Sequence, residues 1–296
     1  MRYTIAHRTR YYYPVPVHDS HTIVHLQPRS DASQYCTRYE LSVSPRTRVF
    51  SYADRFGNDV QHFAILPEHA MLEVIARSQV VTARGAPAAP EPLPRSLVDA
   101  DPQRDELFDY LHGSRYITFG DGLGAFADQV GTPGPDDDIV GWLQHASHTL
   151  HDEFTYDKTT TSVHATVEES VRLRAGVCQD FAHVLIALCR RAGIPARYVS
   201  GYIAGGGETL GAEASHAWAE AYLGPRGWIG IDPTNDTWIG DAFVRIATGR
   251  DYRDVSPVRG VFTGASSSIM SVDVAVEALS HAQQQFQEND YQQQQQ

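Results

Sequence analysis

The hydrophobic period of this chain changes once, and that change constrains its fold more than any other feature. From residue 1 to about 82, apolar and polar side chains alternate: Tyr3 and Ile5, then Tyr39, Leu41 and Val43, a run from Val60 to Leu66, and Leu72, Val74, Ala76, Ser78 and Val80. A period of two sends successive side chains to opposite faces, so these residues are expected to form strands of a small antiparallel β-domain. "DRFGNDV" separates two of the runs, and its Gly57 and Asn58 tolerate the left-handed backbone that a hairpin turn requires. The stretch "TARGAPAAPEPLPRSLVDADP" follows. Prolines at 87, 90, 92 and 94 disfavour both helix and central strand there, so residues 83–102 are read as a linker.

Beyond the linker the period becomes helical. Ile139, Trp142, Leu143, Ala146 and Leu150 make one stripe behind an acidic first turn, Asp136 to Asp138, which suits a helix N-terminus. Thr166 and Glu169 have capping-box spacing and predict a second helix running to Gly176. A third helix, from about Cys178 to Ala192, would bury Phe181, Val184, Leu185 and Leu188 and stop at Gly193, with Pro195 just beyond. "ARYVSGYI", "SHAWAEAYL" and "GWIGIDPT" then read as strands, and "SIMSVDVAVEAL" as a last one. Helices followed by strands describe an α+β domain over 103–280. The glutamine-rich end, 281–296, cannot bury enough surface to order itself and is expected to be a disordered tail.

A formal net charge of -12 over 296 residues leaves no basic footprint for nucleic acid or for an anionic membrane surface. No run approaches the ~20 apolar residues of a membrane span, and the start lacks the apolar centre of a secretory signal, so a cytoplasmic protein is expected. Three cysteines are too few for a disulfide framework. Cys178 and Cys189 on one helix would lie roughly 16 Å apart at 1.5 Å rise per residue, beyond bridging distance.

Cys178 therefore needs its own explanation. A cysteine at a helix N-terminus meets the positive end of the helix dipole and unpaired backbone N–H groups, both of which favour the thiolate. Buried cysteines are common, so position alone does not make a nucleophile. A base and an orienting carboxylate would. In "SHAWAEAYLGPRGWIGIDPTN", His216, Trp218, Glu220 and Tyr222 share one strand face, and Trp228, Gly230 and Asp232 share one on the next strand. If Tyr222 pairs with Trp228 across "LGPRG", Trp218 lies opposite Asp232 and His216 is the diagonal neighbour of Asp232. A slip of one residue would send Asp232 to the other face. His145, His148 and His151, spaced three apart, read as a polar helix face; with no cysteine ligands and no HExxH pattern, no metal or other cofactor is expected.

Taken together, "GVCQDFAHV", "GIPARYVSGY", "SHAWAEAYL" and "GWIGIDPTN" resemble the bacterial transglutaminase-like superfamily. The first ~80 residues, with "DRFGNDVQHF", look like the β-domain that precedes the core in its bacterial members, and "GRDYRDVSPVRGVFTG" looks like the segment closing that core. The resemblance implies a papain/transglutaminase-like core with helices packed on an antiparallel sheet. It makes Cys178 the nucleophile, His216 the general base and then acid, and Asp232 the group that holds the imidazole. The Cys178 N–H is the natural first oxyanion donor, with Gln179 and Tyr156 as candidates for the second. Trp218 is a candidate for the acyl-site wall and equally for the core, and Gly206 and Gly207, in the loop "AGGGETLGAEAS", are candidates for substrate selection. Expected partners are a peptide or protein substrate and an amine acceptor. Hydrolysis is favoured over cross-linking, because a cytoplasm is full of lysine amines. A catalytically silent binding module on the same fold is the alternative.

Overall fold

The computed structural model describes residues 1–205, 209–211 and 214–279. The expectations for Gly206, Gly207 and the tail 281–296 lie outside the described residues. The N-terminal alternation forms β1 (Arg2–Val24), β2 (Gln34–Ser44), β3 (Phe50–Ala53), β4 (Asp59–Ile65) and β5 (His69–Thr82). Along β1, Tyr3, Ile5, His7 and Thr9 are buried and the residues between them are half-exposed. Its first half pairs with β5, and Ser20 to Val24 pair with β4. The break in register falls between Tyr12 and Val17, where Pro14 and Pro16 have no N–H to give to a ladder. In the β3–β4 turn, Ala53 faces Asp59 and Gly57 takes φ of 73°. The Asp54 carboxylate closes that turn by accepting from the Phe56 and Asn58 N–H groups.

The expected linker is packed rather than free. Pro94, in extended backbone, leads into the short helix α1 (Arg95–Asp99), and Leu93 and Val98 are buried. Helix α2 (Asp121–Val130) has no counterpart in the sequence reading. It buries Leu123, Phe126, Ala127 and Val130, and its N-terminal amides at Gly120, Gly122 and Leu123 donate to the Glu168 carboxylate. Helix α3 (Ile139–Glu153) starts at Asp138, whose side chain accepts from the Val140 and Gly141 N–H groups. Strand β6 (Thr155–Tyr156) follows, then α4 (Val167–Leu173) with Thr166 as N-cap. This helix does not reach Gly176: Arg174 turns left-handed at φ of 51°, and Ala175–Gly176 (β7) pairs in parallel with β6.

Helix α5 (Cys178–Arg191) is the centre of the second unit. Strands β8 (Ala196–Ile203), β9 (His216–Tyr222), β10 (Trp228–Asp232), β11 (Thr237–Trp238) and β12 (Phe243–Gly249) form a sheet ordered β11-β10-β9-β8-β12, with every neighbouring pair antiparallel. α5 lies against β8 and β9 on one side and against α2, α3 and α4 on the other. Hence every residue from Cys178 to Arg190 is buried, far more than the stripe read from the sequence. Each large apolar side chain buried there contributes about 1.5–3 kcal/mol, so this helix is a fixed platform.

After the short helix α6 (Tyr252–Val255), β13 (Val258–Thr263) and β14 (Ile269–Ala278) return to the first sheet. The expected last strand exists, but it extends the N-terminal sheet and not the second one: β14 pairs along Tyr3–Tyr12 and β13 along the second half of β1. The two units share one core, in which Tyr3, Ile5 and Val80 join the helical cluster. His7 meets the Tyr202 hydroxyl at 2.8 Å, and the Asn58 amide bonds both backbone groups of Thr248. Among the described residues, no helix is long and apolar enough to cross a membrane.

Candidate active site

Cys178 is the first residue of α5. Its neighbour Val177 is extended and has no capping side chain; the cap comes from Asp180, whose carboxylate accepts from the Val177 N–H at 2.8 Å and from the hydroxyls of Thr161 and Ser170. Burial pushes the Asp180 carboxyl upward against those hydrogen bonds. Gly176 is required for space, because a Cβ there would collide with the Asp180 carboxylate. The first amides of a helix have no intrahelical acceptor, so α5 itself leaves the Cys178 and Gln179 N–H groups unclaimed.

The β9–β10 hairpin supplies the other two groups. Trp228 pairs with Tyr222 and Ile231 with Ala219, which is the register read from the sequence. His216 Nε2 lies 2.7 Å from Asp232 Oδ2, and both side chains are fully buried. That leaves Nδ1 for Cys178. Nδ1 is buried and makes no hydrogen bond of regular geometry, yet the Cys178 sulfur acts on the ring both as a charge and as a hydrogen-bond partner. Burial opposes protonation of this ring; Asp232 and Cys178 together overcome it and raise His216 to about 10. Both neighbours thus favour the protonated ring, set between a carboxylate and a sulfur.

Asp232 is itself held. Its Oδ1 accepts from the Thr234 N–H at 2.9 Å, and its Oδ2 accepts from Asn235 Nδ2 at 2.8 Å. Asn235 also bonds both backbone groups of Leu210, pinning the loop before β9 to the carboxylate. The next residue, Gly211, has φ of 84° and lies so close to His216 Nδ1 that a Cβ would collide with the ring. His148 and His151, read earlier as a polar helix face, bond Asp236 and the Thr234 carbonyl, and so tie the segment after Asp232 to α3.

The remaining expected site residues are placed differently. Trp218 is fully buried, with its ring over Gly201 and edge-to-face with Phe243 at 5.4 Å. It supports the sheet beneath His216, which is the core reading of the two left open by the sequence and not the acyl-site wall. Gln179 donates its amide to the Val163 carbonyl at 3.1 Å, beside the nucleophile. Tyr156 is half-buried on β6, 6.5 Å from the Phe181 ring. Asp180, Asn235 and Gly211 were missed; the only sequence signal for them was their presence inside the stretches quoted for the triad and the loop.

Comparison with known proteins agrees with this fold. Residues 126–233 match the transglutaminase-like superfamily core, and residues 3–81 match the bacterial transglutaminase-like N-terminal region. An uncharacterized protein of Mycobacterium tuberculosis is 31% identical over 305 residues, covering 93% of this chain and 92% of that protein. This chain belongs to the transglutaminase-like superfamily. An uncharacterized protein of Mycobacterium leprae is 30% identical over 284 residues, covering 94% of this chain and 99% of that protein. A solved structure from Cytophaga hutchinsonii, described as a candidate cysteine protease, is similar at 25% identity and a TM-score of 0.73, over 95% of this chain and 92% of that one. A protein-glutamine gamma-glutamyltransferase of Pseudomonas aeruginosa is 37% identical over a shorter stretch, 21% of this chain and 10% of that protein.

Proposed function

We propose that this transglutaminase-like protein is a thiol enzyme that forms a thioester on Cys178 from a peptide or side-chain amide. The observation that carries this reading is the buried His216–Asp232 pair, whose free ring nitrogen is left to a cysteine at a helix N-terminus. The Cys178 thiolate attacks the amide carbonyl, and the carbonyl oxygen becomes an oxyanion that the Cys178 N–H can hold. His216 Nδ1–H passes its proton to the departing amine, and the C–N bond breaks as the thioester forms. The second acceptor, water or an amine, gives its proton to His216 as it displaces the sulfur, and the thiolate is restored. Asp232 keeps the ring oriented through both halves.

Water is the favoured second acceptor. The likeness to the candidate cysteine protease spans nearly the whole chain, whereas the likeness to the glutamyltransferase spans about a fifth of it. A cytoplasmic location remains part of this proposal. The test is mass spectrometry of a peptide library incubated with the protein, with and without a primary amine. Hydrolysed or deamidated products in both arms support the reading, and amine adducts without hydrolysis would replace it with transfer. Loss of all products in Cys178→Ala is required in either case. Iodoacetamide should also modify Cys178 before Cys189, which is fully buried with its thiol pushed up to about 12.

A further inference from the structure

The sheet built around the second half of β1 buries only one face. Ser20, Thr22 and Val24 point into the β-domain core, while His21 and Ile23 point away from it. Cross-strand partners extend this outer face: Ala64 and Val261 flank His21, and His62 and Arg259 flank Ile23. Phe50, which pairs with His62, and Tyr52 continue it to the edge strand β3, both nearly half-exposed. The opposite wall comes from the second unit: Arg115, Tyr116, Val163, His164, Tyr252 and Arg253. Between the walls lies a groove of about 1320 Å³.

Its inner end abuts the nucleophile's helix. Val163 accepts the amide of Gln179, next to Cys178, and the Tyr252 N–H donates to His183 on α5. Burial raises the Tyr252 hydroxyl, and Cys178 is among the neighbouring groups near enough to add to that rise. The charges lining the groove are not balanced. Asp54 is spent on the β3–β4 turn, and Asp254 is held by Arg250 through two guanidinium nitrogens. Arg115, Arg253 and Arg259 have no carboxylate within salt-bridge distance among the described residues, on a chain whose net charge is -12.

We propose that this groove binds an acidic, aromatic-containing stretch of the polypeptide substrate and leads its reacting amide toward Cys178. The role of substrate rests on the thiol chemistry above; the binding does not. The volume exceeds what a single side chain needs, the rings offer faces for apolar and aromatic residues, and the three arginines lack acidic partners. A nucleic acid would meet the repulsion of the whole acidic surface with only three cations to offset it.

The test uses the full-length Cys178→Ala protein, so no turnover is needed, and fluorescence anisotropy of a fluorescein-labelled peptide alternating Glu and Tyr. The expected result is saturable binding that weakens with salt, exceeds that of a Lys–Tyr peptide of equal length, and falls about tenfold or more in Arg253→Glu/Arg259→Glu. Arg115→Glu, on an exposed loop residue, should weaken it in the same direction and guards against misfolding of the double variant. Equal binding of the acidic and basic peptides, affinity unchanged in both variants, or tighter binding of oligothymidylate would overturn the proposal. Acidic-peptide binding by a protein that shows no turnover would leave the groove standing and remove the thiol chemistry.

Discussion

Replacing Asp232 by asparagine tests the electrostatics on which the site depends. The carboxylate oxygen is 2.7 Å from His216 Nε2 and wholly shielded from solvent, so asparagine keeps the shape and removes the charge. With charge centres roughly 4 Å apart and an effective dielectric near 20, the lost attraction is about 4 kcal/mol. That corresponds to a factor of about 10^3 in proton affinity, which would bring the ring from about 10 to near neutrality. The assay is NMR of the His216 ring nitrogens and its Hε1 across pH 5 to 11. The wild type should hold an imidazolium at pH 8, and Asp232→Asn should titrate about three pH units lower. Stability should follow. A histidine raised in the folded state stabilises fully below its unfolded value of ~6.5, and that contribution is lost as pH rises through about 10. Denaturant unfolding of the wild type should weaken by up to about 1.4 kcal/mol per pH unit across this window, and the variant should lose that slope above about pH 7. A neutral ring at pH 8 in the wild type, or equal midpoints in the two proteins, refutes the reasoning.

Other outcomes follow from the packing and the loop. Gly211→Ala places a methyl against His216 Nδ1 at a positive φ; turnover and the rate of Cys178 alkylation should both drop, and the melting temperature should fall with them. Asn235→Ala should lower kcat and shift the His216 titration, because Asp232 loses one donor and Leu210 its anchor. Gly201→Ala drives a Cβ into the Trp218 ring and the Val244 carbonyl, and calorimetry should show a loss of about 1–3 kcal/mol. Phe181→Ala, on the buried face of α5, should cost about 3–5 kcal/mol by chemical denaturation.

The meeting of His216 and Asp232 was legible in the sequence because two local rules combined. Alternation put His216 and Asp232 on readable faces, and the five-residue connection from Leu223 to Gly227 fixed their register. The start of α5 was legible from its glycine, its apolar spacing and the Gly193 stop. Helix α2 was not, since Gly122 and Gly124 dilute its pattern and its cap, Glu168, comes from a different helix. Strand β14 announced itself by alternation, but alternation says nothing about which sheet edge a strand joins. Asn235, His148 and His151 act through bonds between a side chain and a distant segment, and such pairings leave no periodic trace. Trp218 was left open between wall and core because a strand residue beside a site can point either outward or inward.

The return of β13 and β14 to β1 has a consequence for how the polypeptide assembles as it leaves the ribosome. When residues 1–82 have emerged, β1 still has one bare edge along its whole length, and the segments that cover it are made almost 180 residues later. The β-domain is thus discontinuous, with the cysteine-bearing unit inserted between its two parts, and neither piece has a complete set of backbone partners until translation has passed residue 278. Nascent chains released before that point should be prone to edge-to-edge association, and the groove beside the cysteine's helix would be finished only once the last strand has docked.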